Sequence, residues 1–322
     1  MVVSVIIPTY NRSRLIGLTL ESFVRQNLPA GDFEIIVSDN NSTDETKKVI
    51  HDFIAAHPTH SIRYFFEVRQ GVHYARNSAA KLAKGDYLYF TDDDMIAEPD
   101  LLKELLNIFH KDKKIGSATG RVLPKFEVNP PDWILKLCNN ALLSLNDPDY
   151  PELISEEDCN VFSCHQMILR NAFFGSGGFN PENTKGEWIG DGETGLNLKI
   201  KKLGYKFAFT GKSVIHHIIP AGRLTQAYLN KRMKNQGNGD IYTRYRTSRP
   251  GMAGLFLHLL ITLGKLAYSP IRFIFSFLTG NIRWRLNLAV CYYYMAEVKY
   301  IAKLMTNAGH RALVLKDNWL DD

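Results

Sequence analysis

The stretch "VVSVIIP" (residues 2–8) limits the fold most: a largely β-branched run, without regular polar alternation, that stops at a proline. Such a strand needs cover on both faces, which a parallel sheet between helical layers supplies. A helical period follows, with Leu15, Ile16, Leu20, Phe23 and Val24 on one side and Asn11 placed to cap it. "FEIIVSD" reads as a second strand ending at Asp39. "STDETKKVIHDFI" opens like a capping box, with Glu45 three residues after Ser42. "SIRYFFE" is a third strand, and "VHYARNSAAKLAKG" a helix that Gly85 closes. "DYLYF" is a fourth strand, and the helix "PDLLKELLNIFH" begins with Pro99. Strands alternating with helices predict an α/β fold built on an open mixed, mostly parallel sheet flanked by helices.

Sheets of this kind bind ligands beyond the carboxyl ends of their strands. Three polar clusters fall there: "PTYNR", "SDNNSTD" and "TDDD". Asp92, Asp93 and Asp94 repel one another, so crowding them needs a reason. Either they cap the helix at Pro99, which starts several residues later, or they hold a hard cation. A thiolate-free, oxygen-rich set suits Mg²⁺ or Mn²⁺ with phosphate oxygens completing the shell. An EF-hand is excluded, because Ala97 stands where the loop needs glycine. The turn "PTYNRS" has no GxGxxG, which excludes the dinucleotide fingerprint.

Between residues 115 and 220 the pattern is less regular, with short strands in "SATGRVL", "NVFSCHQMILR", "KFAFTG" and "SVIHHI". "GDGETGLNLKIKKLGYK" reads as a helix ended by Gly204. From Gly251 the chain turns strongly apolar, with Lys265, Pro270 and Arg272 interrupting the first run. This predicts a pair of interfacial helices; a membrane hairpin and a buried helical pair are the competing readings. The net charge of +6 is concentrated after Lys199, with few acids before Glu297. A basic segment beside an apolar one reads as a membrane-surface footprint, and no nucleic-acid-binding motif accompanies it. Cys138, Cys159, Cys164 and Cys291 form no CxxC pair and read as free thiols in a reducing compartment. The N-terminus lacks a basic flank and reaches Pro8 at once, so it reads as a strand rather than a signal peptide.

"VSVIIPTYNR", "EIIVSDNNSTDET" and "GVHYARNSAAKLAKGDYLYFTDDDMIAEPD", in that order and spacing, resemble the N-terminal half of family 2 glycosyltransferases of the GT-A fold. "GDGETGLNLKIKKLGYK" resembles the family's later acidic helix. The resemblance implies transfer of a sugar, with inversion, from a nucleotide sugar to an acceptor hydroxyl, assisted by Mn²⁺ or Mg²⁺. It implies that Pro8 and Thr9 line the nucleotide pocket, that Asp39 bonds the base and that Arg76 lies nearby. Asp92 and Asp93 would stand near the ribose and metal, with Asp94 a direct metal ligand and Asp92 a second candidate. The family's base belongs to an "ED" pair, where this chain reads Asp191-Gly192-Glu193. Counting back from Gly204 favours Glu193, with Asp191 the competitor; the alternative is that both only cap the helix. His216 and His217 either approach the metal or form a structural polar edge, with Arg223 near the phosphates. Trp188 either stacks on an acceptor sugar or belongs to the core.

The expected organisation is a GT-A-like domain over residues 1–240, with a nucleotide half (1–110) and an acceptor half (111–240). A helical, membrane-associated region follows over 241–322. The expected activity is transfer from a UDP-sugar to a glycan, carried on a lipid, at the cytoplasmic face of the plasma membrane in surface-polysaccharide synthesis. A metal-dependent phosphohydrolase or nucleotidyltransferase, or a non-catalytic nucleotide- or glycan-binding membrane protein, are the alternatives.

Overall fold

The structure is a computed structural model and describes residues 1–138, 140–181, 183–184, 187–188 and 192–321. The chain runs from β1 (Val3–Thr9) through α1 (Ile16–Val24) to β2 (Phe33–Asp39), then through α2 (Thr46–Ala56) to β3 (Ile62–Phe66). Next come α3 (Val72–Leu82), β4 (Tyr87–Thr91), the short β5 (Met95–Ala97) and α4 (Leu101–Phe109). The second half holds β6 (Ile115–Phe126), α5 (Asp132–Leu137), β7 (Glu152–Ser155), β8 (His165–Leu169) and α6 (Arg170–Gly175). It continues with β9 (Asn183–Thr184), β10 (Glu187–Trp188), α7 (Glu193–Lys202) and β11 (Lys206–Ile219). Four helices follow: α8 (Gln226–Ser248), α9 (Met252–Leu278), α10 (Trp284–Thr306) and α11 (Ala308–Val314).

The main sheet is ordered β3-β2-β1-β4-β8-β6-β11-β5, with β7 also pairing to β11. The first four strands are parallel, and β8 runs antiparallel to both β4 and β6. Every residue of β1 and β2 is buried, as their β-branched runs require. Two of the polar exceptions are paired: Ser4 donates to the Glu34 carboxylate at 2.7 Å, and Arg63 covers Glu34 from the outside. Gly85 lies where a Cβ would come within 2.6 Å of the Ser4 backbone nitrogen, so its role is close approach to β1.

The expected helix caps do other work. Asn11 stands at φ 52° and accepts a hydrogen bond from the Thr43 backbone at 2.8 Å. Ser42 accepts from the Asn11 backbone at 2.9 Å, and Thr46 accepts from the Arg12 backbone at 2.8 Å. Neither α1 nor α2 has a side-chain N-cap. The capping-type residues instead lash the loop after β1 to the loop after β2, which fixes both rims of the cleft described below.

"KFAFTG" and "SVIHHI" form one strand, β11, with a register break against β6 between Thr210 and Val214. Beyond the break β11 pairs antiparallel with β5, setting His217 opposite Met95 and His216 opposite Ile96. Sequence positions more than a hundred residues apart thus meet beside the three aspartates.

Charged residues and Pro270 do not break α9, which runs unbroken and is long and apolar enough, by length and composition, to cross a membrane. Its buried residues are Leu255, Thr262, Ser269 and Ser276, a seven-residue repeat facing α10. Most of its large side chains, including Phe256, Leu257, Leu260, Ile271, Phe275 and Leu278, are exposed. The buried-pair reading therefore fails for α9. The four cysteines are free, as expected.

Candidate active site

A cleft of about 620 Å³ opens at the ends of β1, β2 and β4, with Pro8, Thr9, Tyr10, Arg12, Asn40 and Gly71 among its walls. Asp92, Asp93, Asp94 and Arg223 complete it. Asn40 organises one rim, donating to the Arg69 carbonyl at 2.6 Å and accepting from the Gly71 backbone at 2.8 Å. Glu67 supports the same turn through Arg69 and Ser78. Burial alone would raise the Glu67 pKa, but these partners outweigh it and hold the carboxyl down at about 2.

The three aspartates have different partners. Asp92, the most exposed, receives the buried Arg76 guanidinium. Asp93 accepts from the Thr9 hydroxyl at 2.6 Å, while burial, then the charge of Asp94, pushes its pKa up to about 7. Asp94 is buried and faces Arg223 at 3.0 Å, His217 at 3.8 Å and Arg12 at 3.9 Å. The backbone is pinned as well: the Asp93 carbonyl accepts from the Thr19 hydroxyl, and the Asp94 carbonyl from the Ile218 amide, each at 2.9 Å. This geometry is not that of a helix-capping cluster.

The adjacent histidines separate because strand side chains alternate. His216 points outward to Glu98 at 2.8 Å, whereas His217 is buried. The His217 Nδ1 donates to the Leu143 carbonyl at 2.9 Å, which leaves Nε2 as the lone-pair nitrogen. Burial lowers its pKa, which favours the neutral ring. Nε2 faces Asp94 and receives the Arg223 guanidinium, which also donates to Asp94. An oxygen and a nitrogen donor 3.8 Å apart, already bridged by a cation, match the donor chemistry of a divalent ion. Among the described residues no group of three or more His, Cys, Asp or Glu forms a ready metal cage. An ion here would take one or two protein donors and complete its shell with substrate oxygens and water.

Asp39 lies just behind the cleft, buried at the end of β2 and bonded by the Ser42 amide at 2.9 Å and the Tyr64 hydroxyl at 2.8 Å. Its neighbour Asn40 lines the cleft wall. Arg76 is buried under Phe179 and donates to Ser163 at 2.8 Å as well as to Asp92. Ser163 in turn donates to Glu193 at 3.2 Å. Glu193 opens α7 directly after Gly192, whose φ of 57° makes the turn that brings it there. Asp191 lies outside the described residues, as does the Trp188 side chain, though Trp188 itself is in β10. Arg12, Tyr10, Asn40, Gln70 and Ser163 had no assigned role from sequence. The first four stand in strand-end loops, which was the usable signal; nothing local marks Ser163.

A family model described as glycosyl transferase family 2 matches residues 4–174. The chain belongs to glycosyl transferase family 2. A validoxylamine A glucosyltransferase of Streptomyces hygroscopicus subsp. jinggangensis is 39% identical over 105 residues, 32% of this chain and 24% of that protein. A poly(ribitol-phosphate) β-glucosyltransferase of Bacillus spizizenii is 29% identical over 188 residues, 52% of this chain and 30% of that protein. The chain thus spans less than a third of the length of either relative. The fold matches that of the mannosyltransferase PcManGT from Pyrobaculum calidifontis, solved with GDP-Man and Mn²⁺, at a TM-score of 0.58 and 19% identity; the match covers 97% of this chain and 84% of that one. It also matches S. aureus TarS 1–349, solved with UDP-GlcNAc, at a TM-score of 0.52 and 14% identity, over 93% and 91% of the two chains. The GT-A-like sheet expected for a family 2 chain is the one observed.

Proposed function

We propose that this chain is an inverting glycosyltransferase that moves a sugar from a nucleoside diphosphate sugar to an acceptor hydroxyl. The observation that carries the reading is the Asp94–His217 pair at the mouth of the strand-end cleft, with Arg12 and Arg223 beside it. In this reading the nucleotide lies along Pro8, Thr9 and Asn40, with Asp39 behind the base and Asp92 and Asp93 toward the ribose. Asp94 and His217 hold a divalent cation, with Asp92 in reserve. When bound, that cation supplies Lewis-acid neutralisation of the diphosphate. Arg12 and Arg223 add positive charge where the leaving group gains negative charge. Arg223 leaves its contacts with Asp94 and His217 to do so.

Glu193 takes the proton of the attacking hydroxyl, and Asp191 remains the competing base. The Ser163–Arg76–Asp92 chain ties the position of Glu193 to the donor cleft. A UDP-sugar is the favoured donor, and a lipid-borne glycan of a surface polysaccharide the favoured acceptor.

The location that fits is the cytoplasmic surface of the plasma membrane. The exposed apolar face of α9 lies in the interface there, with Lys265, Arg272 and Arg283 near anionic headgroups. Thr262, Ser269 and Ser276 on the seam let α10 pack closely, as small residues do between helices in lipid.

The test is a panel of UDP-, GDP- and dTDP-sugars, scored for binding and slow hydrolysis with and without Mn²⁺. Binding that needs the metal and is lost in Asp94→Asn is expected. If no nucleotide sugar binds, or if Asp94→Asn keeps metal-dependent binding, the proposal is wrong.

A further inference from the structure

Glu193 links two clefts. Through Ser163 and Arg76 it is tied to Asp92 in the strand-end cleft. It also forms the wall of a second cleft of about 620 Å³ between α7, α8 and α10. α8 contributes Arg232, Gln236, Gly239, Thr243 and Thr247 at helical spacing, so one stripe of a long helix faces this cavity. The apolar residues of α8, among them Leu229, Ile241 and Tyr242, are buried elsewhere. A polar stripe is ordinarily a solvated face. This one is roofed by Tyr293 and Glu297 of α10 and ends at the carboxylate proposed as the base, which a plain surface does not require.

The lining decides the ligand's chemistry. Three carboxylates (Glu193, Asp240 and Glu297) outnumber the arginines Arg232 and Arg244, and amides of Asn235 and Gln236 lie between them. Tyr293 donates to Asp240 at 2.6 Å and Gln236 donates to it at 2.7 Å, so Asp240 is held in place. Carboxylates accept from hydroxyls and repel a phosphate dianion, the amides both accept from and donate to hydroxyls, and the arginines donate to hydroxyl oxygens.

We infer that this second cleft receives the acceptor, and that the acceptor's reacting unit is an uncharged sugar ring. The inference rests on Glu193 being the base. One hydroxyl oxygen of that ring forms the new bond to the anomeric carbon as the bond from that carbon to the diphosphate oxygen breaks. The hydroxyl proton passes to Glu193, and the bonding pair leaves with the nucleoside diphosphate. Arg244 meets His258 of α9 at 3.2 Å, so the cleft borders the helix with the exposed apolar face. Ring chemistry is shared by free and lipid-borne glycans, and the test separates them.

The experiment uses the full chain with Mn²⁺ and whichever nucleotide sugar it hydrolyses slowly. Nucleotide release is measured with methyl and octyl β-glycosides of glucose, galactose and N-acetylglucosamine, and with ribitol 5-phosphate and glycerol 3-phosphate. Neutral glycosides are expected to accelerate release, and the polyol phosphates are not. A preference for octyl over methyl glycosides identifies the lipid-borne source, and parity identifies a free glycan; each supports the inference. Asn235→Ala and Tyr293→Phe are each expected to raise the glycoside KM by about tenfold while the donor Kd stays within about twofold of wild type. Faster turnover of a polyol phosphate, no response to any glycoside, or an unchanged KM in both variants overturns the inference. Equal loss of donor binding in both variants also overturns it, by making their role structural. If wild-type chain binds no nucleotide sugar, the functional proposal fails first and this inference with it.

Discussion

The strand-end cleft and the helical cleft are linked through Glu193, Ser163 and Arg76 and are made in different ways. In the first, parallel strands stop together, and the loops that follow β1, β2 and β4 supply the walls with buried, mutually bonded polar groups. In the second, α8 supplies mostly exposed or half-exposed side chains, α10 supplies Tyr293 and the buried Glu297, and the start of α7 supplies Glu193. A site made by strand ends tolerates little change, because each polar group also holds backbone in place. A site made by helix faces lets single residues vary at small cost, which suits the acceptor role proposed for it.

The largest expected effect is at the strand ends. Asp94→Asn should lower transfer by about 10³-fold or more, since several kcal/mol of charge neutralisation depend on it. Asp93→Asn keeps an oxygen for the Thr9 hydroxyl and should lose no more than about tenfold. Steady-state rates at saturating Mn²⁺ check the pair, and equal losses would remove the distinct roles given to these neighbours. Next comes the residue that links the two clefts. Glu193→Gln should cost about 10²- to 10³-fold in transfer and leave donor binding intact. If calorimetry finds donor binding weakened as much as turnover, Glu193 belongs to the first cleft alone and the comparison breaks.

The same difference explains what the sequence makes legible. Local patterns carry β1 to β4 and α1 to α4, though not the short β5: apolar runs, their polar ends and their spacing are all within reach of one another in the chain. The Asp94–His217 contact depends on a register break in β11 and on its pairing with β5, neither of which has a local signature. The Ser163 link to Glu193 is equally non-local. The capping signals at Asn11 and Ser42 misled for a related reason, because tertiary partners in the neighbouring loop displaced the helix ends they would have capped. In α9, the charged residues and Pro270 read as breaks only while the seven-residue seam with α10 was unseen.

Acid should act on Glu67 and Glu297 with opposite sign. Glu67, whose pKa falls from 4.5 to about 2 in the fold, stabilises the rim of the strand-end cleft above its unfolded pKa. That contribution, on the order of 2–3 kcal/mol, is lost as pH falls from about 4.5 through 2. Glu297, on α10, has its pKa raised by burial. Its protonated form is favoured in the fold, so it adds stability at low pH that disappears as pH rises through the folded pKa. Hydrogen exchange between pH 6 and 3 should therefore show protection falling in residues 67–72 before it falls at the α8–α10 contact. In Glu67→Gln the acid-dependent part of that difference should vanish; protection that falls equally in both regions would remove the contrast.

The smallest effect belongs to the proposed membrane face, where the energy is spread over many exposed groups. Each cation near an anionic surface contributes about 1 kcal/mol, so Arg272→Gln should weaken binding to phosphatidylglycerol vesicles by about fivefold. Neutral phosphatidylcholine vesicles should show no difference between the variant and wild type, because only the apolar face of α9 acts there. Added salt should erase most of the Arg272 effect, since a surface charge is screened within about 8 Å at 0.15 M ionic strength. Vesicle flotation reads all three conditions. Arg272 lies far from the aspartates in sequence and outside both clefts, so turnover of a soluble methyl glycoside should not change. A variant that lost soluble turnover along with vesicle binding would mean that α9 supports the helical cleft rather than the membrane surface. The contrast between a strand-end site sensitive to single changes and a tolerant helical region would then have to be redrawn.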